Sequence, residues 1–222
     1  MNYKCIIFDC DGTLVDTLDG IASAMNRALA QYGFPPAPVE QYRGMVGWGI
    51  VRLAELALPE QARREETVRE VAAFAKKLMD EQPANLSEPY PGIRELLSEL
   101  NALRPQKLKT AVISNKPDSV LQSLMDELFG RSAFDAVYGQ RLGFAPKPDP
   151  SPIWDFLADI SCSPHNAILV GDSEIDIETA RNAGCYPLGV SWGFRPRSVL
   201  ETAGAARIID TPGEIWELLN RK

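Results

Sequence analysis

The chain has 222 residues, of which 45% are apolar and 24% charged, and its 23 Lys and Arg against 30 Asp and Glu give a net charge of −7. This composition is ordinary for a globular protein, with room for one domain plus an insertion or for two small domains. The acidic balance argues against a nucleic-acid partner, which calls for a basic surface, and the lack of an apolar run of about 18 residues argues against a membrane-spanning helix.

The start of the chain and its cysteines predict a compartment. The chain enters a strand-like segment at once, without the basic region and cleavage site of a secretory signal. The four cysteines lack the C-x-x-C spacing of a metal or redox site, so we interpret them as free thiols. We therefore expect a cytoplasmic protein that does not associate with membranes, and we expect a monomer or a weak homodimer.

Short apolar segments rich in β-branched residues recur along the chain, and each ends in small or polar residues. They predict strands at 5–9, 110–114, 134–139, 167–172, 186–193 and 207–210. Helical patterns between them predict helices at 91–103, 117–130 and 173–184. The strands are continuously apolar rather than alternating, which is typical of a parallel sheet buried on both faces. This order indicates an α/β fold with a doubly wound, Rossmann-like parallel sheet.

One long stretch, 17–84, interrupts the alternation because it contains no convincing strand. Helical patterns cover 18–33, 49–58 and 60–82. A helical block of this size is too large to be a simple crossover, so we interpret 17–84 as an inserted α-helical cap domain. The α/β core would then consist of 1–16 and 85–222. Within the cap, Trp48 is predicted to pack in the core.

Polar residues at the ends of the predicted strands form the candidate site, because ligands of open α/β sheets bind beyond the carboxyl ends of the strands. The candidates are Asp9, Asp11 and Thr13 after the first strand, Ser114 and Asn115 after the second, Lys147 in a later loop, and Asp172 and Asp176 after the strand at 167–172. Clustered carboxylates are the hard oxygen ligands that Mg²⁺ prefers, and the ion would relieve their mutual repulsion. Serine and lysine suit phosphate oxygens, and a carboxylate can act as a nucleophile.

Four motifs carry a family resemblance. The segments DCDGTLVD, SNK, PKPDP and GDSEIDIETARNAG occur in this order, each near the end of a predicted strand. Together they resemble the four motifs of the haloacid dehalogenase superfamily of phosphatases, over roughly Tyr3 to Asp210. The helical insertion after the first motif is similar to the α-helical cap of that superfamily. The VGWG and SNKP segments of this chain look most like those of the phosphoglycolate phosphatases and their close relatives.

The resemblance implies roles for the aspartates that follow the strands. Asp9 would be the nucleophile that takes the phosphoryl group. Asp11 would be the general acid for the leaving group and then the general base for water. Mg²⁺ would be held by the side chains of Asp9 and Asp172 and by the backbone carbonyl of Asp11.

The resemblance also implies how the phosphoryl group is bound. Ser114, Asn115 and Lys147 would contact it, and Lys147 would count among the catalytic residues because it neutralises the transferring charge. Asp176 and Thr13 would lie behind the metal ligands, with Asp176 orienting a metal-bound water or Lys147.

Each candidate also has a purely structural interpretation. Asp9 and Asp11 could form an Asx turn after a strand. Ser114 could be the N-cap of the next helix, Lys147 a surface charge on a proline-rich loop, and Asp176 a first-turn acidic residue that suits the helix dipole. In the cap, Arg43 could contact a second anionic group of the substrate or be an ordinary surface charge.

The acid at Asp11 distinguishes the functions available within the superfamily. Dehalogenating and phosphonate-cleaving members lack an acid at this position, so Asp11 favours hydrolysis of a phosphate ester or phosphomutase action. The expected partner is a small phosphorylated metabolite, with 2-phosphoglycolate first. A sugar phosphomutase similar to β-phosphoglucomutase and a pyrophosphatase remain open. From another class, a phosphorelay receiver and a catalytically inactive binding protein are also alternatives.

Overall fold

A computed structural model of the protein describes residues 3–102 and 108–219. In chain order, the strands are β1 (Cys5–Phe8), β2 (Val15–Asp16), β3 (Glu88–Pro89), β4 (Lys109–Pro117), β5 (Ala136–Gln140), β6 (Ala167–Gly171), β7 (Tyr186–Val190) and β8 (Arg207–Ile209). The helices are α1 (Leu18–Gln31), α2 (Val39–Tyr42), α3 (Ile50–Ala57), α4 (Glu65–Glu81), α5 (Ile93–Ala102), α6 (Asp118–Phe129), α7 (Ser151–Asp159), α8 (Glu174–Ala183), α9 (Arg197–Ala203) and α10 (Ile215–Leu219).

Six strands form one parallel sheet in the order β5-β4-β1-β6-β7-β8. The central strand β1 pairs with β4 on one side and with β6 on the other, so that Phe8 lies opposite both Val112 and Val170. The carboxyl ends of these three strands therefore meet at one edge of the sheet. The predicted doubly wound α/β fold is confirmed.

Both faces of the sheet are covered, which accounts for the continuous apolar runs in the sequence. Successive residues of β1 point to opposite faces, so Ile6 and Phe8 belong to one buried apolar cluster and Cys5 and Ile7 to another. Complete burial of such a side chain contributes about 1.5–3 kcal/mol to the free energy of unfolding. The two clusters hold β1 rigidly, and with it the residues that follow Phe8.

The helical block of α1 to α4 has a third apolar cluster of its own, which Val120 and Phe194 of the rest of the chain also join. Inside this block, Tyr42 donates a hydrogen bond of 2.7 Å to Asn26, which also bonds the backbone of Ala37. The predicted helices at 18–33 and 49–58 correspond to α1 and α3. The division into a cap at 17–84 and a core remains our proposal. The strands β2 and β3, which form a short antiparallel pair, lie just before and just after this segment.

Two expectations for the helical block were wrong. The helix predicted over 60–82 is divided, because Arg64 is extended and separates the 3₁₀ turn Glu60–Ala62 from α4. Trp48 is 42% exposed rather than packed in the core. It stands between Gly47 and Gly49, whose φ angles of 116° and 86° turn the chain so that the indole faces outward.

Residues 3–102 and 108–219 contain no helix with both the length and the apolar character needed to cross a bilayer.

Candidate active site

The acidic cluster at the carboxyl edge of the sheet follows from the pairing of β1 with β6. Asp9 comes directly after β1, and its N–H donates to the carbonyl of Val170 in β6. Asp172 comes directly after β6, and Asp176 lies in the first turn of α8. Carboxylate oxygens of these three buried residues lie within 4.8 Å of one another. The structure thus brings together three of the four predicted carboxylates.

The ionised cluster is unfavourable where it stands. Burial raises the pKa of Asp9 from 3.8 to about 6, although Lys147 opposes the shift. Burial, and after it the charges of Asp176 and Asp9, raises the pKa of Asp172 well above its usual value. Three buried oxygen donors that repel one another are the donor set that a hard divalent cation stabilises. The residues therefore fit Mg²⁺.

Asp172 is held by groups on both sides of its carboxylate. The N–H of Phe194 donates to Oδ2 at 2.7 Å, and the hydroxyl of Thr13 donates to Oδ1 at 3.3 Å. Backbone lies so close to this side chain that a Cβ atom on Gly193 would fall 2.2 Å from the Cβ of Asp172, and one on Gly12 would fall 2.4 Å from its Oδ2. Only glycine fits at these two positions without a shift of the site.

Lys147 lies within the acidic cluster. Its Nζ atom is 2.6 Å from Oδ1 of Asp9 and 2.6 Å from Oδ1 of Asp176, and its side chain is only 4% exposed. Burial alone would lower the pKa of Lys147, but Asp176 and Asp9 outweigh burial and raise the pKa above its usual value. The lysine is therefore a permanent cation beside Asp9, and the interpretation as a surface loop charge is wrong.

Asp176 serves the helix and the site with different oxygens. Its Oδ2 accepts hydrogen bonds from the hydroxyl and the N–H of Ser173, which completes a capping box at the start of α8. Its Oδ1 accepts from Lys147. Asp176 is therefore a first-turn acidic residue, as its structural interpretation has it, and it also contacts Lys147; that it orients this lysine for the reaction stays a prediction.

Asn115 lines the cavity, and its side chain is hydrogen-bonded to the backbone of two other segments. Its amide donates to the carbonyls of Gly47 at 2.9 Å and Lys147 at 3.1 Å, and its Oδ1 accepts from the N–H of Lys147 at 2.8 Å. These bonds give its side chain a different task from the predicted contact with phosphate. Ser114 lies at the cavity within β4, and α6 begins only at Asp118, so Ser114 is not a helix N-cap.

Asp11 is held apart from the acidic cluster. Its Oδ1 accepts hydrogen bonds from the hydroxyl of Thr17 at 2.8 Å and from Nζ of Lys116 at 2.9 Å. Lys116 was missed as a site residue, although it stands in the SNK motif. Its side chain is 5% exposed; burial alone would lower its pKa, but Asp11 and Cys10 help to raise it. A lysine inside an apolar strand region is the signal that could have identified it.

A cavity of about 500 Å³, part of it open to solvent, joins these groups to the helical block. Its floor includes Asp9, Asp11, Ser114, Lys116, Lys147 and Asp176. Its other wall is apolar and comes from the helical block, through Ile21, Val46, Ile50, Leu53 and Met79. Arg43 does not line the cavity, because its guanidinium pairs with Glu40 at 2.8 Å. The structure therefore does not bring Arg43 to the site.

Comparisons with known proteins agree with this arrangement. A family model described as haloacid dehalogenase-like hydrolase matches residues 6–190. A phosphoglycolate phosphatase from Caulobacter vibrioides is 34% identical over 94% of this chain and 87% of its own. Another from Chromobacterium violaceum is 30% identical over 98% of this chain and 97% of its own. A crystal structure described as a predicted phosphoglycolate phosphatase from Haemophilus somnus is 27% identical, covers 99% of both chains and has a TM-score of 0.89.

The chain belongs to the haloacid dehalogenase-like hydrolases. Within that family it is a phosphatase, a hydrolase of phosphoric monoesters, similar to the phosphoglycolate phosphatases.

Proposed function

We propose that the protein is a Mg²⁺-dependent phosphatase that hydrolyses a small phosphomonoester, 2-phosphoglycolate before others, through an aspartyl phosphate on Asp9. The observation that carries the proposal is the separation of two aspartates by their partners. Asp9 lies with Asp172, Asp176 and Lys147, whereas Asp11 lies apart with Lys116. Two carboxylates in different surroundings suit two different chemical tasks.

Asp9 would attack the phosphorus atom with a carboxylate oxygen, and the bond from phosphorus to the ester oxygen would break. Lys147 and Ser114 would bind the oxygens of the transferring group, whose spread charge needs neutralisation. Bound Mg²⁺, held by Asp9, Asp172 and the carbonyl of Asp11, would supply further positive charge at these oxygens. Asp176 would keep Lys147 in place.

Asp11 would give its proton to the departing ester oxygen. A water molecule would then attack the phosphorus of the aspartyl phosphate while Asp11 takes the proton back. This second step releases inorganic phosphate and restores the carboxylate of Asp9. The apolar wall of Ile21, Leu53 and Met79 would exclude other water molecules, which strengthens the electrostatic interactions inside.

Two measurements test the proposal. A panel of phosphorylated metabolites, ranked by kcat/KM, should place 2-phosphoglycolate first. Activity should vanish in excess EDTA once removal of the metal has been verified. Faster isomerisation of β-glucose 1-phosphate than hydrolysis of any ester would favour a phosphomutase, and a preference for pyrophosphate would favour a pyrophosphatase. Lack of turnover with every ester would favour a receiver-like or binding role.

A further inference from the structure

Lys116 brings a second buried cation to the cavity, and the proposed reaction gives it no task. Its side chain is 5% exposed, and it lines the same cavity as Asp9 and Lys147. Among the described residues that line this cavity, Lys116 and Lys147 are the cationic ones. Removing a lysine from water costs free energy, and a single ion pair such as the one with Asp11 does not necessarily offset that cost. A further role for Lys116 would account for its burial.

The two lysines serve opposite ends of the site. Lys147 contacts Asp9 and Asp176, on the side where the phosphoryl group would bind. Lys116 contacts Asp11 at 2.9 Å, and Asp11 would act on the ester oxygen of the leaving group. Lys116 is therefore placed to meet the atoms that follow this oxygen in the leaving group.

Lys116 has the hydrogen-bonding capacity for a further partner. An ammonium group donates three hydrogen bonds, and Oδ1 of Asp11 is the one acceptor found for its Nζ atom in the described part of the chain. The wall that the helical block gives to the same cavity is apolar and includes Ile21, Leu53 and Met79. An anion at that end would find its complement in Lys116, and the apolar wall would strengthen the attraction.

We propose that Lys116 binds a carboxylate of the leaving group and thereby selects short phosphomonoesters whose alcohol carries that carboxylate next to the ester carbon. This inference rests on the proposed phosphatase reaction and assigns its specificity to a single residue. In 2-phosphoglycolate, one methylene group separates the ester oxygen from the carboxylate. When the ester oxygen lies at Asp11, the carboxylate is therefore close to Lys116. Longer or uncharged alcohols lose this contact and meet the apolar wall.

The test compares two substrates that differ only at the group in question, 2-phosphoglycolate and 2-hydroxyethyl phosphate. In Lys116→Met we expect the ratio of their kcat/KM values to fall about 10- to 100-fold, which is typical of losing a charge-assisted hydrogen bond. The ratio cancels any loss that both substrates share. Lys77→Met, on an exposed part of α4, is the matched control and should keep the ratio of the unchanged enzyme.

Two further variants exclude a structural effect. Lys116→Arg keeps the charge and should retain most of the selectivity. Lys116→Gln keeps a hydrogen bond to Asp11 but not the charge, and it should lose the selectivity. The Gln variant gives the result even where the Met variant does not fold. An equal loss of kcat/KM for both substrates would overturn the proposal, because Lys116 would then act only through Asp11. If the enzyme without any substitution did not prefer 2-phosphoglycolate over 2-hydroxyethyl phosphate, the result would instead contradict the proposed substrate.

Discussion

The Nζ atom of Lys147 lies 2.6 Å from a carboxylate oxygen of Asp9, and both side chains are almost completely buried. The two residues are 138 positions apart in the chain. Asn115 fixes the backbone of Lys147 with two hydrogen bonds, so the lysine reaches Asp9 from a loop anchored on β4. This cation would hold the nucleophile in place and receive the charge of the phosphoryl group.

Replacing Lys147 by Met should therefore damage both stability and activity. Breaking a buried ion pair costs about 3–5 kcal/mol, because Asp9 and Asp176 stay behind without their cation. For a chain of this size we expect Tm to fall by about 6–20 °C and kcat to fall by at least about 100-fold. Differential scanning calorimetry and steady-state kinetics measure the two effects. Unchanged values of both would contradict the role of Lys147, and Lys77→Met is the surface control.

The metal-free protein should lose stability as the pH rises. The folded-state pKa of Asp9 is raised from 3.8 to about 6, so between these values the folded state binds more protons than the unfolded state. The free energy of unfolding therefore decreases from about pH 4 to 6, and Asp172, whose pKa is also raised, extends the decrease to higher pH. Chemical denaturation in EDTA across this range measures the slope. A rising free energy of unfolding in this window would contradict the unfavourable burial of these carboxylates.

Mg²⁺ should restore what the ionised carboxylates lose. At a Mg²⁺ concentration 100-fold above the dissociation constant at pH 7.5, binding contributes about 2.7 kcal/mol, or about 5–10 °C in Tm, and the same concentration should contribute less at pH 5, where the carboxylates bind protons instead. In Asp172→Asn, we expect a higher Tm without metal, because one repelling charge is gone, and almost no response to Mg²⁺. An undiminished response of this variant would place the metal elsewhere.

Much of this site was predictable from the positions of its residues along the chain. Parallel strands end at one edge of the sheet, so Asp9 and Asp172, each directly after an apolar run, were expected at the same edge, and the pairing of β1 with β6 brings them close together. The partners of Asp11 were not predictable. Lys116 belongs to a part of β4 that runs past the predicted strand at 110–114 up to Pro117, and its pairing with Asp11 depends on how that extension is placed.

Contacts between side chains and the backbone of distant segments could not be predicted from sequence patterns. The bonds of Asn115 to Gly47 and Lys147 join three segments that are far apart in the chain, and its residue type suits a phosphate contact equally well. Gly193 follows a strand like many turn glycines, and only its distance from Asp172 shows why a side chain is excluded there.

Gly193→Ala should disrupt the site through that contact. The new Cβ atom would fall 2.2 Å from the Cβ of Asp172 and 2.4 Å from the carbonyl oxygen of Gly12, so one of these groups must move. Overpacking of this kind costs about 1–3 kcal/mol, and the displaced Asp172 should weaken the response to Mg²⁺. Gly213→Ala is the matched control, since nothing lies within 4 Å of its added Cβ. Equal Mg²⁺ titrations for the two variants would contradict the prediction.

Arg195 should hold in place the loop 43–49 between α2 and α3, part of which lines the cavity. Its guanidinium donates to the carbonyls of Arg43 and Val46, while its Nε pairs with Glu174. We expect Arg195→Ala to release this loop and to raise KM for the substrate about tenfold, with a smaller effect on kcat, because Val46 and Gly47 line the cavity. Arg131→Ala, at a side chain that is 91% exposed, should leave KM unchanged. An unaltered KM in Arg195→Ala would exclude this role.

The sharpest test of the proposed chemistry separates Asp9 from Asp11 by trapping the phosphoenzyme. Asp11→Asn removes the general base and should slow turnover about 10²–10⁴-fold. With p-nitrophenyl phosphate, whose leaving group needs little protonation, the first step should suffer less than the second. The variant should therefore accumulate one phosphoryl group, visible by intact mass and mapped by peptide analysis to Asp9, whereas Asp9→Asn should accumulate none. A phosphoryl group on another residue, or its absence from both variants while Asp11→Asn still turns over, would contradict Asp9 as the nucleophile.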